Sequence, residues 1–373
     1  MTARAFSFDP LDTLMFRDGR PFNQGDEGAS AAESLFPPPP PTLVGALRLA
    51  IAQQNGYPPA WPVALLGDGV NWQADTTQLG PLRFSAPLLL RADHQGRSEP
   101  LFPAPLHLAQ ATQNSRDVLT LLLPRAQYET DLGRVFLVSA PPGHLGVRPL
   151  EGDFLTMAGM QALINGKLPD MSAIVRRDTL WQAESRVGIG RDSDKRVAKD
   201  GEFYVASHTR LADHVRMVLA VEGLDDKCRF DAANQRLGGE HRTAHLADCA
   251  VPQLPQAPNG LASLQGRFFY AAMAISPVFL NDLPGPGATV PGLSGTLQSA
   301  CFGKPQMLGG WDSGQGKKRQ GKPLPMRPVL PAGSVFFMET DDRDKALACH
   351  GTGIGRATEW GFGQIMIARW EAK

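Results

Sequence analysis

Three residue constellations in this chain have types and spacings that could do chemistry. His241, His245 and Cys249 recur every four positions. On a helix that spacing would put three soft ligands on one face, as a zinc site requires. On a strand they would share a face but stand about 13 Å apart at each step, too far to share one ion. Ordinary, non-ligating side chains are the reading we adopt, so the sequence nominates no metal and no cofactor. His208 or His214 could act as general base in a metal-independent ribonuclease, which needs only a base and an acid. No GxSxG or HExxH signature and no paired catalytic carboxylate motif accompanies them, and a place on a β-surface is the alternative.

The second constellation is HGTGIGRATEWGFG, residues 350–363. Its glycine spacing resembles a phosphate loop, but a dinucleotide fingerprint needs a following helix and strand, and the chain has only 18 residues after Gly355. Such a loop can still present backbone N–H groups to an oxyanion or let RNA backbone come close, and a structural hairpin loop is the alternative. The third is FRDGRPF, residues 16–22. It sets Arg17 and Arg20 with Phe16 and Phe22 around an Asp-Gly turn. Cationic forks beside stacking rings are the two ingredients of single-stranded RNA recognition, and arginines beside a core-anchoring phenylalanine are the competing account.

The elements that must position these residues follow from composition and periodicity. With 373 residues, two domains of ordinary size are expected. The 37 basic and 37 acidic side chains cancel, so nucleic-acid binding must rest on local patches rather than on a global field. Thirty-nine glycines and 32 prolines mark long irregular connections, while 42% hydrophobic content excludes a wholly disordered chain. Four dispersed cysteines without CxxC or a secretory leader suit a reduced cytoplasm, and no apolar run approaches the length of a membrane helix.

Residues 5–16 alternate as an opening strand. Pro37 to Pro41 read as a rigid extended spacer, and Thr42 as the N-cap of a helix over 43–54 that ends at Asn55-Gly56. On that helix Leu43, Val44, Leu47, Ala50 and Ile51 form the apolar face, and Arg48 lies off it. A second helix is expected over 154–166. In the second half, 214–224 carries Val215, Met217, Leu219 and Val221 on one strand face, and 267–275, 334–339 and 364–370 have strand composition. Residues 284–328 read as one long loop. Within it Lys304, Lys317, Lys318, Arg319, Lys322 and Arg327 face only Asp312 between 303 and 328, a local charge of +5 suited to phosphate. A solvated loop with scattered charge is the alternative. The fold class expected is α+β.

Taken in order, FRDGRPF (16–22), PPPPPTLVGALR (37–48), ESRVGIGRD (184–192), GEFYVASHTRL (201–211), LGGEHR (237–242), PAGSVFFME (331–339) and GFG (361–363) resemble one family across nearly the whole chain. The sequence is similar to the third subunit of the type III-B CRISPR Cmr effector complex, in the repeat-associated mysterious protein (RAMP) superfamily. The resemblance implies two ferredoxin-like, RNA-recognition-like domains with loop and β-hairpin insertions, at 1–170 and 171–373. It implies a non-catalytic, cytoplasmic subunit of a hetero-oligomer. Such a subunit holds the 5′ handle of the CRISPR RNA, docks the large palm-domain subunit and adjoins RAMP backbone subunits. A RAMP endoribonuclease that processes precursor CRISPR RNA, with His208 or His241 as base, is the alternative. Carried over by position, Arg17, Arg20 and Arg48 are expected at handle phosphates, and Arg186 and Arg191 on a protruding hairpin near the guide. Arg242, Gly361 and Gly363 match glycine-containing elements near RNA. Lys317, Lys318 and Arg319 lie outside the recognised pattern, and their RNA role is inferred from charge alone.

Overall fold

The computed structural model describes residues 3–17, 34–69, 71–74, 79–93, 95–131, 133–191, 197–312 and 321–371. Strand β1 (Arg4–Pro10) is followed by helix α1 (Pro40–Gln54), β2 (Leu88–Ala92), β3 (Ser98–Pro103), a run of hairpin strands over 108–149 outside the two main sheets, and α2 (Met157–Ile164). A long hairpin, β4 (Trp181–Arg191) with β5 (Ala198–Leu211), precedes β6 (Val215–Glu222), β7 (Ala233–Arg236) and β8 (Thr243–Cys249). The rest comprises β9 (Arg267–Ala274), β10 (Thr296–Cys301), a hairpin of β11 (Gln306–Asp312) and β12 (Lys322–Val329), β13 (Val335–Thr340), α3 (Arg343–Ala348) and β14 (Ile365–Arg369). The fold is α+β, dominated by sheet.

Two sheets form the body. The centre of the first runs β8–β1–β6–β2, every pair antiparallel. The second runs β14–β9–β13–β10, again antiparallel throughout. Counted in chain order, both share one permutation: fourth, first, third, second. The connections differ. In the first half a helix, α1, joins the first and second strands, and the short β7 takes the place of one between the third and fourth. In the second half α3 joins the third and fourth strands, while 275–295 makes the earlier connection without a helix.

Alternation along the strands divides the cores. Val215, Met217, Leu219 and Val221, with Phe6 and Phe8, pack beneath α1. The opposite faces, including Ala5, Val218, Leu88 and Leu90, meet Phe269, Ala271, Met273, Val335, Phe337, Met366 and Ala368 of the second sheet, with α2 filling one side. The outer face of the second sheet buries Tyr270, Ala272, Phe336, Met338, Ile365 and Ile367 against Ala346 of α3. Strands buried on both faces read as continuous apolar runs, and each large side chain buried this way contributes about 1.5–3 kcal/mol.

Several expectations need correction. The opening strand stops at Pro10, and the chain then leaves the sheet. Helix α1 begins at Pro40, not after Thr42, because proline's fixed φ suits the first helical turn; the N-cap is Pro39, with no side-chain cap. The expected loop over 284–328 contains β10 and the β11–β12 hairpin. Strands β6 and β8 pair in the sheet built on β1, so this sheet takes strands from both sides of residue 170. The second helix is confirmed at 157–164, where Thr156 Oγ1 accepts from Gly159 N at 3.3 Å.

Candidate nucleic-acid interface

The arginines expected at RNA fall into two groups with different surroundings. The first group is at the base of the β4–β5 hairpin, which pairs over nearly its whole length and forms a two-stranded sheet of its own. After Pro10 the chain stays near it through Leu11 N to Thr243 O (3.1 Å) and a reciprocal bridge between Leu14 and Thr209. That path sets Asp12 beside three guanidinium groups. Arg186 Nη2 donates to Asp12 Oδ2 at 2.8 Å, Arg210 Nη2 to Oδ1 at 3.0 Å, and Arg242 Nη1 to Oδ2 at 3.1 Å. Glu184 Oε1 accepts from Arg186 Nε and Nη2 at 3.1 and 2.9 Å, and its Oε2 accepts from Arg210 Nε at 2.5 Å. These charge-assisted bonds hold the Asp12 carboxyl down to about 2, chiefly through Arg186, and hold that of Glu184 below its usual value, chiefly through Arg210.

Arg242 reaches the cluster from a tight turn. Leu237 N donates to Arg242 O at 2.8 Å, and Gly239 N donates to Met15 O at 2.8 Å. Gly238 has φ +80°, and a Cβ there would lie 2.4 Å from Met15 O, so only glycine permits the approach. Glu240 and His241 also have positive φ, 51° and 55°, the kind of backbone cost found at functional loops. Three arginines and three carboxylates cancel formally, yet the cluster is not closed. Nη1 of Arg186 and of Arg210 has no hydrogen-bond partner among the described residues, and their side chains are 32% and 49% exposed. Carboxylates on one edge of each fork thus fix its orientation while the other edge stays open to an anion.

His208 sits beneath this cluster and is fully buried. Its Nε2 is 3.0 Å from Glu240 Oε2 and its Nδ1 is 3.1 Å from Thr13 Oγ1. Burial pushes its pKa down against the pull of Glu240, so the ring is neutral, donating to Glu240 and accepting from Thr13. With both nitrogens engaged and no exposed face, it supports the turn and offers no free base. His241 lies in the turn before β8, and His245 Nδ1 is 3.0 Å from Asn234 Oδ1. Cys249's thiol is pushed up to about 11 by burial. Among the described residues no three histidine, cysteine or acidic side chains stand together as a metal site.

The second group, Arg48 with Gly361 and Gly363, lies at the seam where α1 meets the C-terminal loop, and its surroundings are protein rather than solvent. Arg48 is 4% exposed. Its Nη1 donates to Gly69 O at 2.5 Å, and Nη2 donates to Leu66 O and Gly67 O at 3.0 and 3.1 Å. The guanidinium stands 5.3 Å from the Trp61 ring and 5.7 Å from that of Trp360. Phosphate cannot reach it, because carbonyls and indoles occupy the space. Desolvation lowers its pKa to about 10, and it remains charged at neutral pH. Gly361 (φ +88°) and Gly363 (φ +68°) allow close approach to protein rather than RNA backbone. A Cβ would meet Ser85 O at 2.2 Å in one case and Ile354 O at 2.0 Å in the other. Phe16, expected as a stacking surface, is 4% exposed and packs in the core beside Phe36.

Arg17 is exposed and its backbone bridges Ser34, at the edge of the described segment. Arg20, Phe22, Lys317, Lys318 and Arg319 lie outside the described residues. Arg191 ends β4 opposite Ala198. Asp12 and Arg210 went unnoticed in the sequence. Arg210 pairs across the hairpin with Gln182, so the only usable signal was register within GEFYVASHTRL. Beside Trp181, the residues Phe36, Pro37, Pro38 and Phe154 line an apolar cleft of about 480 Å³.

Fold and surface together define an α+β protein with an arginine-rich hairpin base on a body of two stacked sheets. The chain belongs to the CRISPR-associated protein family Cas_Cmr3, which it matches over residues 6–370. No curated protein matches it. Among solved structures, it is similar to a chain of the type III-B Cmr-beta complex bound to cognate target RNA (17% identity, 89% of this chain and 86% of that one, TM-score 0.45). A chain of that complex with target RNA and AMPPnP matches at the same identity and coverage with a TM-score of 0.41. A chain of the Csm3-Csm4 subcomplex of the type III-A interference complex matches at 10% identity, 99% and 100% coverage and TM-score 0.37. No helix among the described residues is long and apolar enough to cross a membrane.

Proposed function

We propose that this chain is a non-catalytic RNA-binding and assembly subunit of a type III-B CRISPR effector complex. In this reading it holds the 5′ handle of the CRISPR RNA, docks the large palm-domain subunit and sits beside RAMP backbone subunits in the cytoplasm. The observation that carries the RNA part is the hairpin base, where Asp12 and Glu184 fix Arg186 and Arg210 with one edge of each fork open. Fixed guanidinium groups lose little entropy on meeting a phosphate, and backbone contacts of this kind set the register of an RNA without reading its sequence. Arg242 belongs to the same cluster, Arg17 lies two residues after Met15, whose carbonyl accepts from Gly239 N, and Arg20 follows Arg17 in sequence.

Each sheet is proposed to be a ferredoxin-like unit. Its strand order, fourth–first–third–second with all pairs antiparallel, supports this, and each unit has kept one of two connecting helices: α1 in the first, α3 in the second. The neutral net charge suits a subunit whose other faces meet proteins, so the free chain binds RNA weakly. The test is handle retention in the reconstituted complex after Arg17, Arg186 and Arg210 are each replaced by glutamine. About tenfold weaker retention per lost charged contact is expected. Unchanged retention by all three variants would refute the reading.

A further inference from the structure

The β11–β12 hairpin has an outer face that the handle reading does not use. Its inner side chains, Leu308, Leu324 and Val329, are buried in the core beneath α1, and Trp72 Nε1 and Gln73 Nε2 donate to Gly309 O and Pro325 O at 3.2 and 2.8 Å. The hairpin is therefore fixed to the body. Its other residues face water with an unusual composition: Trp311 is 61% exposed, Met307 45% and Met326 39%. Isolated exposed apolar residues need no explanation, but an indole and two methionines on one short ribbon do.

The indole is held in place. A Cβ on Gly321 would lie 2.2 Å from Trp311 Nε1, so the ring lies against that glycine with much of its surface open. Met326 lies against Gly309 in the same way, its Sδ 2.7 Å from where a Cβ would stand. On the partner strand the exposed Lys322 adjoins Pro323, which pairs with Trp311, and the exposed Arg327 pairs with Leu308 further along the same ribbon. In sequence the whole 303–328 segment carries +5.

We infer that this ribbon is a second contact for single-stranded RNA, in which a base stacks on Trp311 while Lys322 and Arg327 neutralise neighbouring phosphates. An aromatic platform bordered by cations is the combination single strands require. The charge favours RNA over a protein partner. So does the edge of β12, where Pro323, Pro325 and Pro328 lack the N–H groups that an added protein strand would need. The inference rests on the RNA-binding role proposed above but not on the arginine cluster.

The test uses the purified full chain and a fluorescently labelled oligouridylate, titrated at several salt concentrations. Trp311→Ala is expected to weaken binding about tenfold, as loss of one stacked base does, and Trp311→Phe to restore most of it. Replacing Lys322 and Arg327 by alanine should reduce the salt slope by roughly 1.4, for two phosphates on a single strand. Unchanged affinity in Trp311→Ala, or loss of co-assembly with another Cmr subunit while RNA affinity stays intact, would overturn the inference. Arg186→Gln, run in parallel, separates the two claims. Loss of handle retention there with Trp311→Ala inert would sink only the ribbon, and the reverse pattern would sink only the handle reading.

Discussion

The seam around Arg48 and the hairpin base around Arg186 use the same side chain for opposite ends. At the seam a guanidinium is buried among three carbonyls and two indoles, and it ties α1 to the 61–69 segment and the C-terminal loop. At the hairpin base Arg186 and Arg210 are partly open to solvent and carboxylates orient one edge of each, while Arg242 is more enclosed. What separates a structural arginine from a binding one is the partner and the exposure. Buried carbonyls that depend on one donor make an arginine important to the fold, whereas exposed carboxylates can share it with an incoming anion.

That contrast can be broken at the seam first. Gly363→Ala would force a Cβ to within 2.0 Å of Ile354 O at φ +68°, where backbone must move. We expect a loss of more than about 3 kcal/mol in chemical denaturation, or no soluble protein. Arg48→Met should cost about 2–4 kcal/mol by leaving the carbonyls of Leu66 and Gly69 without this donor, while Gly67 O keeps the Trp61 indole N–H. Arg186→Gln should change stability by less than about 1 kcal/mol, since its ion pairs are exposed. If denaturation ranked Arg186 above Arg48, the division of roles would be wrong.

A pH titration sharpens the other side. Asp12's carboxyl is depressed in the folded state to about 2, below an unfolded value near 3.9. Its stabilising contribution is therefore complete above about pH 4 and is lost as pH falls through 2. Asp12→Asn should remove that part of the acid limb, with an effect below about 1 kcal/mol because the group is half exposed. An acid limb identical in the two proteins would show that the arginines do not hold Asp12 as described.

Much of the scaffold was legible in the sequence, for a physical reason. Strands buried on both faces, such as β9 and β13, are unbroken apolar runs, and β6 alternates because α1 covers Val215, Met217, Leu219 and Val221 while Arg216 and Glu222, at the ends of its other face, are less buried. The β11–β12 hairpin was illegible because Gly309, Gly310, Pro323, Pro325 and Pro328 argue for loop. They are tolerated where Met326 crowds Gly309 and the Trp72 indole crowds Gly310, and where a β-edge needs no donors. Helical periodicity placed Arg48 outside the apolar face, and nothing local announces that Trp61 and Trp360 close over it. The hairpin base was half legible. Arg186 and Arg242 stand in quotable motifs, but Asp12 and Arg210 join them only through the Leu14–Thr209 bridge and cross-strand register.

The central claim is that the hairpin base, not the seam, holds the guide. Its most direct measurement is photo-crosslinking of the first nucleotides of a CRISPR RNA in the reconstituted complex, followed by mapping of the modified peptides. The account predicts adducts on residues 184–191, 206–211 or 237–242 that weaken in Arg186→Gln and Arg210→Gln while the thermal transition of the subunit is unchanged. Handle adducts confined to other subunits, or adducts here that are indifferent to both substitutions, would contradict it.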